Sequence, residues 1–257
     1  MIHPTAIIDP TAKLASNVSI GAYTIIGPDV EIGSNSEIQH HVVIEGPTKI
    51  GSGCRIFPFA SIGLEPQDKK FHGESSFLVI GNNNTIREYV TINRGTEANK
   101  GETRIGNNGW IMACCHIAHD CVLGDHITMS NGATLGGHVT VEDHVIIGGL
   151  SGVHQFCKLG QYAMIGGQSM VPQDIAPFSL VSGNRARLSG VNFVGLKRNG
   201  FSQADIDDVN LAYSIFFRSG LTRKDAIEKI KQSFTGKKHI QLFTDFVEAS
   251  ERGVCRN

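Results

Sequence analysis

Hydrophobic residues recur at every sixth position over most of the stretch from Ile2 to Val171. Stepping by six from Ile2 gives eleven consecutive Ile or Leu residues, the last of which is Ile62. The same phase returns over residues 80–92, and after a shift of one residue it continues over 105–171, so that 26 positions are in register. A six-residue period fits neither an α-helix of 3.6 residues per turn nor a strand that alternates and ends in a hairpin.

Hexapeptides of this kind predict a parallel β-helix, in which each hexad forms one short strand and one corner. The aliphatic residue fills the interior, and the residue four positions later is mostly small, as at Ala12 and Cys54. The residue that follows the aliphatic is Gly in 12 of the 26 hexads, as at Gly21 and Gly136. We predict that these glycines permit the tight corners. Three hexads close one triangular coil of 18 residues, and coils stack at about 4.8 Å.

Two polar stretches, 64–79 and 93–104, interrupt the repeat. Because they are polar and depart from the hexad pattern, we predict that they are loops projecting from the β-helix. Loops on a rigid scaffold often carry function. The repeat ends near Pro172, since proline interrupts strands. These boundaries predict a β-helix domain over residues 1–189 and an α-helical domain over residues 190–257.

The residues after the repeat predict three helices. "SQAD" at 202–205 and "TRKD" at 222–225 have the composition of helix N-caps, and "QLFTDFVEAS" at 241–250 is amphipathic. This segment is also basic: residues 185–257 hold 13 Lys and Arg against 8 Asp and Glu, whereas residues 1–184 hold 10 against 16. An ordinary solvated surface would explain the excess, and an acidic partner is the alternative.

The overall composition excludes several classes of protein. The net charge of −1 gives no support for nucleic-acid binding. The sequence shows no signal peptide and no apolar run near the ~18 residues that a membrane span needs. Its six cysteines therefore point to free thiols in a reducing compartment, and we expect a cytoplasmic protein.

The period of 18 predicts where the residues of the stretch "HIAHDCVLGDH", 116–126, lie relative to the neighbouring coils. Residues one period apart stack in columns, and six of the eleven histidines fall between positions 116 and 154 on outward positions. The cluster is thus a surface patch that spans about three coils. The three columns that matter are His119, Gly137 and Gln155; Asp120, His138 and Phe156; and His126, His144 and Tyr162.

Three interpretations of this patch remain open. Outward positions tolerate histidine, so each one taken alone is more often structural than functional. Histidines on such coils bind metal in the γ-type carbonic anhydrases, where neutral ligands converge at about 2.0–2.1 Å. In the third interpretation, His119 is a general base that Asp120 orients, and the backbone N–H of Gly137 stabilises an oxyanion, an arrangement suited to acyl transfer to a hydroxyl.

The cysteines do not add a site of their own. Cys54 and Cys121 fall on the small interior position, where cysteine behaves as an apolar residue, and no C-x-x-C pair is present. We expect neither a thiol nucleophile nor a zinc–thiolate centre.

The motifs "HIAHDC", "GGHV", "VHQF" and "GVNFVGLKRNGF" resemble the acyl-carrier-protein–UDP-N-acetylglucosamine O-acyltransferase family, and the similarity covers nearly the whole chain. The hexad alone occurs in many transferases, but this combination of motifs is specific. The resemblance implies a left-handed β-helix, a homotrimer with sites between subunits, and the first transfer of lipid A synthesis. Since acyl-carrier protein supplies an activated thioester, we expect no cofactor and no metal.

The resemblance also implies roles for individual residues. His119 would deprotonate the 3-hydroxyl of UDP-N-acetylglucosamine, Asp120 would support it, and Gly137 would supply the oxyanion amide. Asp68 and Lys70 of the first loop would bind the sugar nucleotide from the adjacent subunit. The remaining substrate residues would be the cleft residues His116, His138, His154 and Gln155, the nucleotide-binding residues Asn192 and Arg198, and the acyl-groove residue Gly167.

Three positions depart from the family pattern. Asn93, Val194 and Asn199 stand where histidine, an acidic residue and arginine are common. The nearest rival is the related UDP-3-O-acylglucosamine N-acyltransferase, which carries a sizeable domain before its repeat, whereas here the repeat starts at Ile2. A γ-type carbonic anhydrase-like metalloprotein remains the second alternative. A purely structural β-helix would need neither the histidine patch nor the interrupting loops.

Overall fold

The computed structural model describes residues 1–97 and 101–256, and it is a three-faced parallel β-helix followed by α-helices. This architecture was predicted from the hexads and is confirmed. Residues 98–100, part of the predicted loop 93–104, lie outside the described residues.

The strands are two to five residues long and are numbered in chain order. The first face holds β1 (Ile7–Ile8), β4 (Ile25–Ile26), β7 (Val43–Ile44), β10 (Ser61–Leu64), β13 (Thr91–Asn93), β16 (His116–Ile117), β19 (Thr134–Leu135), β22 (Gly152–Val153) and β25 (Met170–Val171). The second face holds β2 (Lys13–Leu14), β5 (Val30–Ile32), β8 (Thr48–Ile50), β11 (Phe77–Ile80), β14 (Glu102–Ile105), β17 (Val122–Leu123), β20 (Thr140–Val141) and β23 (Lys158–Leu159). The third face holds β3 (Ser19–Ile20), β6 (Glu37–Ile38), β9 (Arg55–Ile56), β12 (Thr85–Ile86), β15 (Trp110–Ile111), β18 (Thr128–Met129), β21 (Ile146–Ile147), β24 (Met164–Ile165), β26 (Ser179–Ser182) and β27 (Arg187–Val191).

Pairing between coils follows the predicted spacing. Ile8 pairs with Ile26, one regular coil later, whereas Ile62 pairs with Ile92 across the first interruption. Ile80 pairs with Ile105 across the second, which accounts for the shift of one residue in the hydrophobic phase. The two interruptions therefore leave the stack of coils intact.

The corner glycines require a correction. The residue in the left-handed region is the third after the aliphatic, and it is usually not Gly: Asn35, Asp120 and His138 have φ values of 59°, 60° and 61°. Asn, Asp and His are the non-Gly residues that adopt this conformation most readily. Gly33 is needed because the next coil is close: a Cβ there would lie 2.6 Å from the backbone of Gly51.

The C-terminal region packs on the end of the prism. Here β26 adds to the third face, and the antiparallel β27 follows it, so strands continue past the proline-rich stretch where the sequence indicated an end. The helices are α1 (Phe193–Arg198), α2 (Gln203–Arg218), α3 (Arg223–Ser233) and α4 (Lys238–Ala249). Ser202 and Thr222 cap α2 and α3, as predicted, whereas α1 was not predicted. None of the helices in the described chain has the length and apolarity to cross a membrane.

Candidate active site

The corner between the first and second faces brings His119 and Gly137 together, one coil apart. A Cβ at position 137 would lie 2.7 Å from the His119 ring, so only glycine leaves room for the ring there. Gly137 is buried, and among the described residues no backbone or side-chain acceptor receives its N–H. The corner thus presents an imidazole beside an uncommitted amide donor, the pairing that acyl transfer requires. We call this the catalytic corner, defined by the columns of His119 and Asp120.

Asp120 is the anchor of this corner. Its side chain is fully buried, and its Oδ2 lies 2.8 Å from Nδ1 of His119. The second loop supplies Thr96, whose N–H and hydroxyl donate to Oδ1 and Oδ2 at 2.9 and 2.6 Å. Burial would raise the pKa of Asp120, but the hydrogen bonds from His119 and Thr96 prevail and lower it. Asp120 is therefore an ionised acceptor, which requires that Nδ1 of His119 carries the proton and Nε2 the lone pair.

Two further histidines flank this pair. His138 sits edge-on to His119 at 5.1 Å between ring centroids, and its Nε2 is 3.7 Å from Oδ2 of Asp120. His116 is hydrogen-bonded through Nδ1 to the hydroxyl of Thr91 at 2.7 Å. Burial lowers the pKa of both His116 and His138. The site therefore favours neutral imidazoles around His119.

A cavity of about 870 Å³ opens at the catalytic corner. The first loop reaches it with Asp68 and Lys70 of the same chain, next to His119 and His138. Their assignment to the site of an adjacent subunit stays a prediction. Phe156, from the column of Asp120, also lines the cavity, together with residues that the sequence did not single out: Gln67, Lys158, Asp174, Glu251 and Arg252.

Arg252 comes from the segment after α4, which returns to the prism. Ser250 donates its hydroxyl to the buried Asp174 at 2.7 Å, and Val254 forms a parallel bridge with the same residue. This fixes Arg252 so that its guanidinium lies 3.4 Å from Nδ1 of His154. Nothing in the local sequence shows that a residue 98 positions away reaches the histidine patch.

A second cavity, of about 700 Å³, extends from the same corner over the first face. Gly137, His154 and Gln155 line its catalytic end, and Met170 and Arg185 line it further along. Gly167 is exposed at the next corner of the coil, between the third and first faces. A side chain there would meet nothing closer than the carbonyl oxygen of Gly149 at 3.4 Å, so the position has space.

The predicted nucleotide residues lie elsewhere in the single chain. Asn192 is the N-cap of α1: its Oδ1 accepts from the N–H of Gly195, and its Nδ2 donates to the carbonyl of Tyr162. Arg198 is exposed at the end of the same helix, and neither residue lines the two cavities. Their contact with the nucleotide stays a prediction.

The three departures from the family pattern have distinct surroundings. Asn93 is buried and donates to the carbonyl of Glu65 at 2.7 Å, so it ties down the base of the first loop. Asn199 donates its amide to the carbonyl of Gly195 at the end of α1. Val194 is exposed, and nothing in the structure explains the residue at this position.

Atoms of His119, Asp120 and His138 that could ligate a metal lie within 4.8 Å of one another. The hydrogen bond from Nδ1 of His119 and the two from Thr96 already occupy the carboxylate of Asp120. The arrangement therefore fits a base and its orienting carboxylate better than a set of ligands that converge on one ion.

The corner between the second and third faces carries the other predicted histidine column. The rings of His126, His144 and Tyr162 stack in parallel, with centroids 4.7 Å apart at each step. Tyr162 continues into the helical region through an edge contact with Phe201 at 5.0 Å. We call this column the stacked corner.

Comparison with known proteins gives a consistent result. Residues 11–46 match the family model "Bacterial transferase hexapeptide (six repeats)", and residues 174–255 match "Udp N-acetylglucosamine O-acyltransferase; Domain 2". Relatives from Paracidovorax citrulli and Halorhodospira halophila, both named acyl-[acyl-carrier-protein]–UDP-N-acetylglucosamine O-acyltransferase, are 53% and 50% identical over 99% of this chain and 99% of their own. The crystal structure of UDP-N-acetylglucosamine O-acyltransferase from Moraxella catarrhalis superposes with a TM-score of 0.97 at 45% identity, covering 99% of both chains.

Proposed function

The chain belongs to the acyl-[acyl-carrier-protein]–UDP-N-acetylglucosamine O-acyltransferase family, and from that membership we propose its reaction and the residues that perform it. Its fold is the left-handed parallel β-helix with a C-terminal helical region that the resemblance implied. It transfers a 3-hydroxyacyl chain from acyl-carrier protein to the 3-hydroxyl of UDP-N-acetylglucosamine, the first step of lipid A synthesis. The observation that carries this proposal is the oriented His119–Asp120 pair beside the N–H of Gly137, which has no hydrogen-bond acceptor among the described residues.

In the proposed step, Nε2 of His119 takes the proton of the glucosamine 3-hydroxyl as its oxygen attacks the thioester carbonyl. The N–H of Gly137 donates to the resulting oxyanion, and Asp120 stabilises the imidazolium. Collapse of the intermediate breaks the carbon–sulfur bond, and the imidazolium returns its proton to the leaving thiolate. The thioester is already activated, so this sequence requires no metal and no cofactor.

The cavities suggest how the substrates are arranged. Asp68 and Lys70 bind the sugar nucleotide in the larger cavity, where His138 also lies. The acyl chain follows the second cavity from Gln155 across the first face, toward the corner that carries Gly167, although Gly167 itself does not line this cavity. His116, His154, Asn192 and Arg198 complete the substrate contacts proposed from the resemblance.

We also propose the wider setting of the enzyme. It is a homotrimer in the cytoplasm, with a β-helix domain over residues 1–189 and a helical domain over residues 190–257. Acyl-carrier protein, which is acidic, docks on the basic C-terminal part of the chain, residues 185–257. Since exposed charges are screened beyond ~8–10 Å at moderate salt, the KM for acyl-carrier protein should rise with ionic strength.

The test is direct. Purified protein is incubated with UDP-N-acetylglucosamine and 3-hydroxyacyl-acyl-carrier protein, and the O-acylated nucleotide is measured by mass spectrometry. One parallel assay uses UDP-3-O-acylglucosamine as the acceptor, which is the reaction of the related N-acyltransferase. Another measures carbon dioxide hydration, which is the reaction of a γ-type carbonic anhydrase. Acylation of UDP-3-O-acylglucosamine alone, or hydration alone, would overturn the proposal.

A further inference from the structure

Thr96 is the only residue of the second loop, among those described, that donates hydrogen bonds to Asp120, and it does so twice. Thr96 is only 2% exposed, although it is a polar residue in a loop. Its hydroxyl shares Oδ2 of Asp120 with Nδ1 of His119, and its N–H holds Oδ1. The loop therefore reaches into the catalytic corner from behind the base.

The backbone around Thr96 is built to hold it there. Gly95 packs so closely on the strand after the loop that a Cβ would lie within 3 Å of the backbone of Glu102. Arg94 donates to the carbonyl of Gly63 at 2.6 Å, and the carbonyl of Thr96 accepts from the N–H of Gly101 at 3.1 Å. The residues "RGT" thus fix the position of the threonine hydroxyl.

The hydrogen bonds from Thr96 matter because two histidines, His119 and His138, lie close enough to compete for the Asp120 carboxylate. His138 lies 3.7 Å from the same Oδ2 that accepts from His119, so a carboxylate that was free to turn could pair with either imidazole. Only the bond to Nδ1 of His119 keeps the lone pair on Nε2 of the base. The donors on Asp120 decide which histidine it orients.

We propose that Thr96 is a positioning residue of the reaction, whose hydroxyl fixes the Asp120 carboxylate so that it orients His119 and not His138. The second loop interrupts the repeat in order to supply this contact. The inference rests on the proposed function, because it assigns His119 as the base. Thr96 touches neither substrate nor the reacting atoms, and it acts through Asp120.

The first experiment compares Thr96→Val with Thr96→Ser in the full-length protein. Valine keeps the shape and the backbone N–H but removes the hydroxyl, whereas serine keeps the hydroxyl. We expect Thr96→Val to lower kcat about 10- to 100-fold, the loss typical when a hydrogen-bond partner that orients a functional histidine is removed. The KM for UDP-N-acetylglucosamine should change less than about twofold, and Thr96→Ser should restore most of kcat. Thr140→Val, on an outward strand position, is the matched control and should retain wild-type kcat.

A double-mutant cycle separates positioning from a general structural role. If Thr96 acts through Asp120, Thr96→Val should cost little further activity in an Asp120→Asn background, so the two losses will not multiply. Should Thr96→Val fail to fold, Thr96→Ala takes its place in the cycle. Equal fold-losses in both backgrounds, or full activity of the single variant, would overturn the inference.

Two readouts make failure of the inference distinguishable from failure of the proposed function. The pKa of Asp120, measured by carbon-13 NMR on substrate-free protein, should rise in Thr96→Val, because one donor to the charged form is lost. Among the described residues, the titratable groups next to this carboxylate are His119, His138 and the buried thiol of Cys121. An unchanged pKa contradicts the clamp, whereas an inactive wild-type enzyme contradicts the proposed function.

Discussion

The catalytic corner and the stacked corner are made from the same three coils, and each carries histidines one coil apart. At the stacked corner, the rings of His126 and His144 lie parallel, with an interplanar angle of 8°. At the catalytic corner, His119 and His138 meet edge-on at 89°. A column of histidines is thus a product of the hexad geometry and is not in itself a site.

Two additions distinguish the catalytic corner. Gly137 stands directly above His119 and leaves space that a side chain would fill, so the ring has room beside a free amide. The second loop then adds the hydroxyl of Thr96 to the buried Asp120. At the stacked corner, the neighbouring Asp125 and Asp143 bond to the backbone: Asp143 accepts from the N–H of Asp125 at 2.8 Å. The two corners thus differ by one glycine within the repeat and by one residue of the loop that interrupts it.

The largest expected effect comes from removing one histidine from each corner. His119→Ala should lose ~10²–10⁴-fold in kcat, the usual contribution of a general base. His126→Ala, the matched change at the stacked corner, should stay within about twofold of wild type. Steady-state rates at saturating substrate measure both, and an active His119→Ala enzyme would erase the distinction between the corners.

We expect the second cavity, which leaves the catalytic corner, to accept acyl chains of a definite length, and we expect Gly167 to set that length. We expect the wild type to prefer a long 3-hydroxyacyl chain, near 14 carbons, and Gly167→Met to prefer about 10 carbons. A methionine would displace roughly four methylenes, each worth ~0.8 kcal/mol, and a total of ~3 kcal/mol changes a ratio by about 10². The ratio of kcat/KM for the two donors is the measurement, with Gln168→Met as control. A wild-type preference for the short donor would refute the idea.

The stacked corner should contribute stability without contributing to catalysis. His144→Ala removes two aromatic contacts, each worth about 0.5–1.5 kcal/mol, so Tm should fall by a few degrees. The value of kcat at a temperature well below Tm should be unchanged. Calorimetry and kinetics on the same preparation provide the check, and a catalytic defect in the folded variant would mean that both corners serve the reaction.

The smallest expected effect is that of a chelator. Exhaustive treatment with a metal chelator should leave kcat unchanged. The Asp120 carboxylate accepts hydrogen bonds from His119 and Thr96, so it is not arranged to bind a metal ion. Metal analysis before and after treatment completes the experiment. Stoichiometric zinc or iron that disappears together with activity would restore the metal interpretation of the histidine patch.

The sequence predicted the parts of this molecule that depend on regular spacing. The interior aliphatics, the three coil columns and the position of Gly137 beside His119 all follow from a period of six, and Asp120 was expected to orient His119 because it is the next residue. The N-caps at Ser202 and Thr222 were likewise visible, because a cap and its partner lie three residues apart.

What the sequence could not reveal depends on contacts without a period. Thr96 reaches Asp120 across 24 residues, and Arg252 reaches His154 across 98. The prediction that the glycines after the aliphatic residues permit the tight corners was wrong for a different reason. Composition alone does not distinguish a glycine needed for its φ from one such as Gly33, which is needed because the next coil is close. Similarly, Asn192 could be recognised from its motif, but its use as a helix cap could not.

The constant offset of one coil between paired strands also shapes how the chain acquires its structure and how it can diverge. Each coil contacts only the coils next to it, so order can begin in any coil and spread along the axis. Whole coils can be duplicated or deleted in evolution while the ladder on either side stays matched, whereas loss of a single residue within a coil leaves that coil mismatched with its neighbours unless a loop absorbs the shift, as the second interruption does. The bridge between Asp174 and Val254 does not follow this rule, and neither do the contacts of Ser250 and Arg252, because they join the prism to the end of the chain. Because this bridge joins residues far apart in the sequence, we expect it to be among the last contacts made in folding.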